Sequence, residues 1–331
     1  NIASFEKSIE SVMGENSKVV ALNSGASAIH LALKLLEIGS GDEVLCQTFT
    51  FCATVNPILY CGATPIFIES EKETWNMCPV FLEEAIKDRL KKKCKPKAIV
   101  VVDSYGMPAK WDEILAISRK YEIPVIEDAA AALGSMYKGQ MCGTFGDFST
   151  LSFNGNKIIT TSSGGALICR EKYVKERAIY LATQAKIEGS VHGEVGFNYR
   201  MSNVLAGIGR GQMEVLDKHI SLRRGMNQFY KALFTFVRFC SLQHRIPVIF
   251  SENLEETMNM KNIMLGFCLI VLVGCGTSNA YEKPTVRIVG EAQMTKLPNG
   301  NYEVTPRWIK DRFNAENSMV KQLEDCREGG R

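Results

Sequence analysis

Short β-branched runs alternate with longer amphipathic stretches between residues 43 and 127, and this alternation constrains the fold more than any other feature of the chain. Residues 43–47 (EVLCQ), 64–68 (TPIFI), 98–103 (AIVVVD) and 123–127 (IPVIE) have the length and residue types of strands. The intervening stretches 52–60, 81–91 and 111–121 read as helices. Strands joined through helices predict a mostly parallel sheet with helices on both faces, an α/β fold. Ligands in such sheets bind at the carboxyl ends of the strands. Asp103 and Asp128, which close two of the runs, are therefore expected either to face a site or to cap the turns that follow.

A second signal lies in residues 148–167, FSTLSFNGNKIITTSSGGAL. Two β-branched runs flank a polar, glycine-bearing turn, which reads as strand, loop, strand with Lys157 where the backbone turns. A lysine amine is a nucleophile toward carbonyl compounds once desolvated, because burial penalises its charged form. Phe153, Ile158 and Ile159 supply an apolar rim for this. A loop lysine by itself is equally a solvated surface charge, so the assignment needs partners elsewhere.

Those partners have their own patterns. Asn23-Ser24-Gly25-Ala26-Ser27 precedes AIHLALKLLEIG, whose apolar residues share one helical face. A small-residue loop opening a helix presents free N–H groups and the positive end of the helix dipole, a seat for phosphate or an ordinary N-cap. Thr48-Phe49-Thr50-Phe51 leads into helix 52–60. After the lysine loop, 166–169 reads as a strand and 171–185 as a helix; HGEVGFNYRMSN (192–203) is a polar loop before a long helix, 203–217, continued through 218–234.

Composition excludes other classes. A net charge of +3, with one dense basic run (LKKKCKPK, 90–97), gives no basic face for nucleic acid. Eleven cysteines without a C-x-x-C pair are expected to be reduced core thiols, and the four histidines lack metal-ligand spacing, so no metal site is expected. No signal peptide is read at the start, where 2–13 has a helical pattern, and the main body is expected to be cytoplasmic.

A phosphate-type loop, an aromatic ahead of a helix, a strand-end aspartate and a loop lysine are together the parts that pyridoxal 5'-phosphate requires. In SGASAIHLAL, QTFTFCATVNPI, VIEDAAAALGS, SFNGNKIITTSSGGAL and HGEVGFNYRMSN, in this order, residues 1–235 resemble the DegT/DnrJ/StrS-type nucleotide-sugar aminotransferases. The resemblance implies the fold type I architecture of pyridoxal phosphate-dependent transferases. It makes Lys157 the Schiff-base lysine, Asp128 the partner of the pyridine nitrogen and Phe51 the stacking ring, with Ala26, Ser27 and Ser152 holding the phosphate. It further implies a homodimer with shared sites, in which Asn198 binds the phosphate in the neighbouring subunit, and makes His192 and Arg200 substrate contacts. The implied reaction moves an amino group from L-glutamate to a nucleotide-linked keto sugar, in wording closest to a UDP-4-keto-6-deoxy-N-acetylhexosamine, for amino-sugar and polysaccharide biosynthesis. Sugar 3-dehydratases of the family carry histidine at the lysine position, so Lys157 argues against that activity. The alternative is a non-catalytic relative that binds the cofactor weakly or not at all. Two departures stand out: Ala131, where the family has Glu or Gln, and Ser163, in a run that is often all glycine, where a side chain is expected to cost backbone freedom.

The end of the chain reads differently. Beyond a junction, 236–259, the segment MKNIMLGFCLIVLVGC (260–275) resembles a bacterial lipoprotein signal with Cys275 as its lipidated residue. Its apolar run of eleven, 263–273, is short of the roughly 20 residues that span a bilayer, and membrane contact is expected only if it acts as a signal or anchor. A hairpin is expected over 294–304 around Pro298-Asn299-Gly300, and a helix over 307–326. Residues 260–331 are thus expected to be an unrelated unit, with the family's C-terminal small domain truncated or replaced.

Overall fold

Runs such as AIVVV are buried along their whole length only in the interior of a sheet covered on both sides, and that is where the chain places them. The computed structural model describes residues 1–14, 16–243, 294–296 and 302–304. The chain divides into two compact units, 1–247 and 248–331. In the first, helix α1 (Ile2–Met13) leads to β1 (Lys18–Leu22), α2 (Gly25–Leu35), β2 (Glu43–Gln47), α3 (Cys52–Tyr60) and β3 (Thr64–Ile68). Then come α4 (Pro79–Lys91), β4 (Ala98–Val102), a 3-10 turn (Ser104–Gly106), α5 (Trp111–Tyr121) and β5 (Val125–Asp128). A small hairpin, β6 (Met136–Tyr137) and β7 (Gln140–Met141), precedes β8 (Phe148–Ser152) and β9 (Gly165–Cys169). Helices α6 (Lys172–Ala182), α7 (Asn203–Glu214) and α8 (Leu216–Gln243) follow.

The main sheet has seven strands in the order β1-β9-β8-β5-β4-β2-β3. Strands β3, β2, β4, β5 and β8 pair in parallel. Strand β9 runs antiparallel to both β8 and β1. The expectation of a mostly parallel sheet is met, and the exception follows from the short β8 to β9 connection, since adjacent strands joined without a crossover pair antiparallel.

Strand parity divides the core in two. Leu45, Ile99, Val101 and Val125 pack on one face with Phe5, Ile9, Leu82, Ile86, Trp111 and Ile114, from α1, α4 and α5. Val44, Cys46, Val100 and Ile126 pack on the other with Ile29, Leu31, Leu33, Ile58 and Leu181, from α2, α3 and α6. On β5, therefore, Val125 and Glu127 belong to the α5 face, and Ile126 and Asp128 to the α2 and α3 face.

Several boundaries differ from the sequence reading. Helix α4 starts two residues earlier than expected because Pro79 occupies its first turn, where its missing N–H costs nothing. Helix α6 stops at Ala182 because Gln184 and Ala185 adopt positive φ, 66° and 50°. The long helix expected from 203 is broken at Val215 into α7 and α8. Strand β1 had no sequence prediction, since KVVAL is too short to show a period. The described cysteines are free; Cys46, Cys142 and Cys169 are core residues, but Cys52 is exposed.

In the second unit, β10 (Met294–Lys296) pairs antiparallel with β11 (Tyr302–Val304), with Met294 opposite Val304. The signal-like segment 260–275, the turn at Pro298-Asn299-Gly300 and the helix expected over 307–326 lie outside the described residues. Among the described residues no helix is long and apolar enough to cross a membrane.

Candidate active site

The site is built at the carboxyl ends of β5 and β8, on the α2 and α3 side of the sheet. Asp128, the last residue of β5, is buried with its carboxylate turned toward α3. Its Oδ2 accepts the Thr54 hydroxyl at 2.7 Å and its Oδ1 accepts the Ala130 N–H at 3.1 Å. Burial raises the Asp128 pKa, while these hydrogen bonds and the charge of Lys157 oppose the rise. The sequence-predicted lysine and aspartate are thus electrostatic neighbours, although 29 positions separate them in the chain (157 − 128).

Lys157 is half-buried in the loop between β8 and β9. Its N–H bonds to the Asn154 carbonyl at 3.0 Å, closing the turn. The rim residues Phe153 and Ile159 are fully packed. The long helices pin this loop: the Thr160 N–H donates to Gln212 Oε1 of α7 (3.2 Å), and the Ile158 carbonyl meets His219 Nδ1 of α8 (2.9 Å). A lysine held by a packed loop keeps a fixed reach, unlike a mobile surface lysine.

Helix α2 opens at the same end of the sheet. Ser24 is its N-cap and accepts the Ser27 N–H at 3.0 Å, whereas the N–H groups of Gly25 and Ala26 have no partner within the helix by geometry. Ser152 at the end of β8 abuts this turn so closely that a Cβ on Gly25 would lie 3.2 Å from its own. Gly165 is required for the approach, because a Cβ there would fall 2.3 Å from the Ser24 carbonyl carbon. The Ser27 hydroxyl donates to Asn23 Oδ1 at 2.6 Å and so stiffens the loop from within. Phe51 is the N-cap residue of α3 and is 76% exposed.

The structure brings Ala26, Ser27, Ser152, Phe51, Asp128 and Lys157 to one end of the sheet. The other three are held by contacts of their own. Asn198 is exposed, its carbonyl accepting from Asn23 Nδ2 at 3.1 Å. His192 is exposed and its Nδ1 meets the Gln184 carbonyl at 2.7 Å. The Arg200 guanidinium is committed to Glu6 (2.6 Å) and the Ala21 carbonyl (3.0 Å), tying the loop to α1 and β1.

Two expectations are corrected. Asp103 does not face the site. It lies one residue beyond Val102, the partner of Asp128, hence on the opposite face, where its Oδ1 accepts the Ala109 N–H (2.8 Å) and Trp111 Nε1–H (3.0 Å). It serves as the turn cap that the sequence left open. At Ser163 the backbone does not need the left-handed region that glycine favours: the positive φ in that run belongs to Ser162 (66°), and the Ser163 hydroxyl donates to the Asn23 carbonyl at 2.9 Å, bracing the loop before α2.

Sequence reasoning missed Thr54 and Asn23. Each is a hydrogen-bonding residue inside a motif read for its neighbours, and the available signal was a polar side chain on the buried face of a helix or turn. Tyr199 bonds His30 Nδ1 through its hydroxyl (2.9 Å) among Tyr60 and Phe197.

The fold is that of the fold type I pyridoxal phosphate-dependent transferases. Superposition on a DegT/DnrJ/EryC1/StrS aminotransferase from Brucella abortus gives a TM-score of 0.68 at 28% identity, over 71% of this chain and 64% of that one. The chain belongs to the DegT/DnrJ/EryC1/StrS aminotransferase family, whose pattern it matches over residues 1–254. It is 50% identical over 233 residues to EpsN of Bacillus subtilis, whose name places it among pyridoxal phosphate-dependent aminotransferases, covering 70% of this chain and 60% of EpsN. It is 43% identical over 212 residues to GDP-perosamine synthase of Escherichia coli O157:H7, covering 63% of this chain and 57% of the synthase. The chain therefore spans somewhat less than two thirds of the length of these curated relatives.

Proposed function

We propose that this protein is a pyridoxal phosphate-dependent aminotransferase that moves an amino group from L-glutamate to a keto sugar carried on a nucleotide. The observation that carries the reading is the buried Asp128 carboxylate, flanked by Lys157, an exposed aromatic ring and a free helix N-terminus. These residues fit a ligand with a phosphate, a flat ring and a protonated nitrogen: each polar end meets its complement, and Phe51 is exposed to cover a ring face. The cofactor would supply an electron sink for the substrate carbon. The Ala26 N–H and the Ser152 hydroxyl would donate to the phosphate, with Ser27 shaping the loop. Asp128 would keep a proton on the ring nitrogen by charge pairing. Lys157 would hold the cofactor covalently and, once released, carry a proton at its Nζ between donor and acceptor carbons.

The active unit is proposed to be a homodimer, since Asn198 is exposed and a second copy could receive it. His192 remains proposed for substrate. Arg200 is proposed with it, since its bonds to Glu6 and the Ala21 carbonyl both use Nη1 and the guanidinium has further donors. The sugar is proposed to be a 4-keto sugar on UDP, with GDP the alternative that the perosamine synthase relative suggests. The aminotransferase body is proposed to comprise residues 1–235 and to work in the cytoplasm, with 260–331 a separate unit.

Borohydride reduction of the protein loaded with pyridoxal phosphate, followed by peptide mapping, tests the reading. The expected adduct is on Lys157, and an adduct on another lysine overturns it. Mixed dimers of Lys157→Ala and Asn198→Ala chains should regain part of the activity; verified heterodimers without rescue remove the shared-site proposal. If a chain ending near residue 250 loses an activity that the full chain has, residues 251–331 are integral to the enzyme and the separate-unit proposal fails.

A further inference from the structure

Among the described residues no cationic side chain hydrogen-bonds the Asp128 carboxylate, which is buried. Besides the Ala130 N–H, a pair of threonines on the segment that presents Phe51 holds it. Thr54 is 1% exposed, and its hydroxyl lies 2.7 Å from Asp128 Oδ2. The Thr50 hydroxyl lies 2.6 Å from that of Thr54. The Thr54 N–H also donates to the Phe51 carbonyl at 3.0 Å, so the residue that grips the carboxylate fixes the backbone of the exposed ring as well.

The proton positions follow from counting. An ionised carboxylate only accepts, so the single hydroxyl proton of Thr54 must point at Asp128. The Thr54 oxygen is then left as an acceptor, and the Thr50 hydroxyl must donate to it. The two bonds run in one direction and polarise each other toward the carboxylate. A proton on Asp128 Oδ2 would break this order. The arrangement therefore favours the charged carboxylate, and a hydrogen bond to a charged group in a dry site is among the stronger ones.

We propose that Thr50 and Thr54 form a hydroxyl relay that keeps Asp128 ionised and correctly oriented, and that locks its position to that of Phe51. Both are positioning residues, acting through Asp128 and the Phe51 backbone. The proposal rests on the reading of Asp128 as the partner of the cofactor nitrogen. Burial is the influence that raises the Asp128 pKa, and the Thr54 bond is the largest that opposes it, in keeping with the geometry.

The test compares Thr54→Val, Thr54→Ser, Thr50→Val and Asp128→Asn in the full chain, with pyridoxal phosphate as the probe. For each, the cofactor dissociation constant, the absorbance spectrum of the bound cofactor, the split of kcat against KM, and the urea midpoint are measured. Thr54→Val is expected to weaken cofactor binding roughly tenfold, to shift the bound spectrum in the same direction as Asp128→Asn, and to lower kcat more than it changes KM. Thr54→Ser restores the hydroxyl and is expected to behave as the unaltered protein. Thr50→Val, one bond further away, should show the same spectral shift at a few-fold loss. A Thr54→Val protein with an unaltered spectrum and affinity overturns the relay, as does a Thr54→Ser protein as impaired as Thr54→Val, which would assign the effect to packing. If Asp128→Asn itself leaves spectrum and turnover unchanged, the assignment of Asp128 fails, and the relay with it. Impaired Asp128→Asn beside normal Thr54→Val isolates the failure to the relay. Should Thr54→Val not fold, as its urea transition would show, Thr50→Val and Thr54→Ser decide the matter by the same readings.

Discussion

Glu127 and Asp128 are consecutive residues of one strand, both buried acids, and they have opposite uses. Glu127 faces the α5 side, where four donors surround it: the N–H groups of Gly143, Phe145 (2.8 Å) and Gly146 (3.3 Å), and the Ser149 hydroxyl (2.8 Å). Asp128, on the α2 and α3 face, accepts from two donors, the Thr54 hydroxyl and the Ala130 N–H. The first carboxylate is fully used in holding together the loop after β7 and the start of β8. The second accepts fewer donors, one on each oxygen, and has the charge of Lys157 near it. Asp103 sharpens the contrast, since it shares the Glu127 face. Its free Oδ2 and the acid and thiol groups of Glu127 and Cys142 place ligand atoms within 4.8 Å of one another. Burial, and then the charge of Glu127, pushes the Asp103 carboxyl well above the usual range, so it keeps the proton while the donors of Glu127 stabilise the anion.

The largest expected effect tests the structural half of this contrast. Glu127→Ala leaves buried N–H groups without an acceptor and should lower the unfolding free energy by about 3–5 kcal/mol, read from urea melts. A midpoint near that of the unaltered protein would break the comparison. Asp128→Asn should do the reverse, with turnover lower by on the order of 100-fold, about 2.7 kcal/mol, and stability changed by less than about 1 kcal/mol. Equal losses of stability in the two variants would show that both acids are structural.

Titration separates the faces by sign. Asp103 binds a proton in the folded state that the unfolded chain releases above the ordinary carboxylate range. Its contribution to stability is therefore present at low pH and lost as pH rises toward its folded-state pKa, by about 1.4 kcal/mol per pH unit within that window. Asp103→Asn should flatten that slope. His30 on the opposite face is lowered from 6.5 to about 4, by burial first and by Lys34 second. There the unfolded state holds the extra proton, so stability should fall as pH drops from about 6.5 toward 4, again by at most about 1.4 kcal/mol per unit. Urea midpoints measured across both windows check the two signs. The smallest expected effect is at the helix N-terminus: Ser24→Ala should cost about 1 kcal/mol of stability through loss of the cap. A larger loss of cofactor affinity than of stability would mark that turn as part of the site.

Much of this molecule was legible in one dimension. The period of apolar residues and the punctuation between them determined the strands from 43 to 127, their helical connections and so the parallel sheet, because each strand needs a covered face and each crossover a helix. The order of five motifs determined the family, and with it the residues gathered at the end of β5 and β8. Tertiary structure alone decided which strand-end acid faces the site. Asp103 and Asp128 look alike as the ends of apolar runs, and their faces differ only because β4 and β5 pair with Val102 opposite Asp128, setting Asp103 one residue further on. It also decided what holds each group: Thr54 reaches Asp128 across 74 positions, and Arg200 reaches Glu6 across 194. Periodicity reports which face of an element is apolar, whereas contacts between distant elements depend on register and packing, which no local pattern carries.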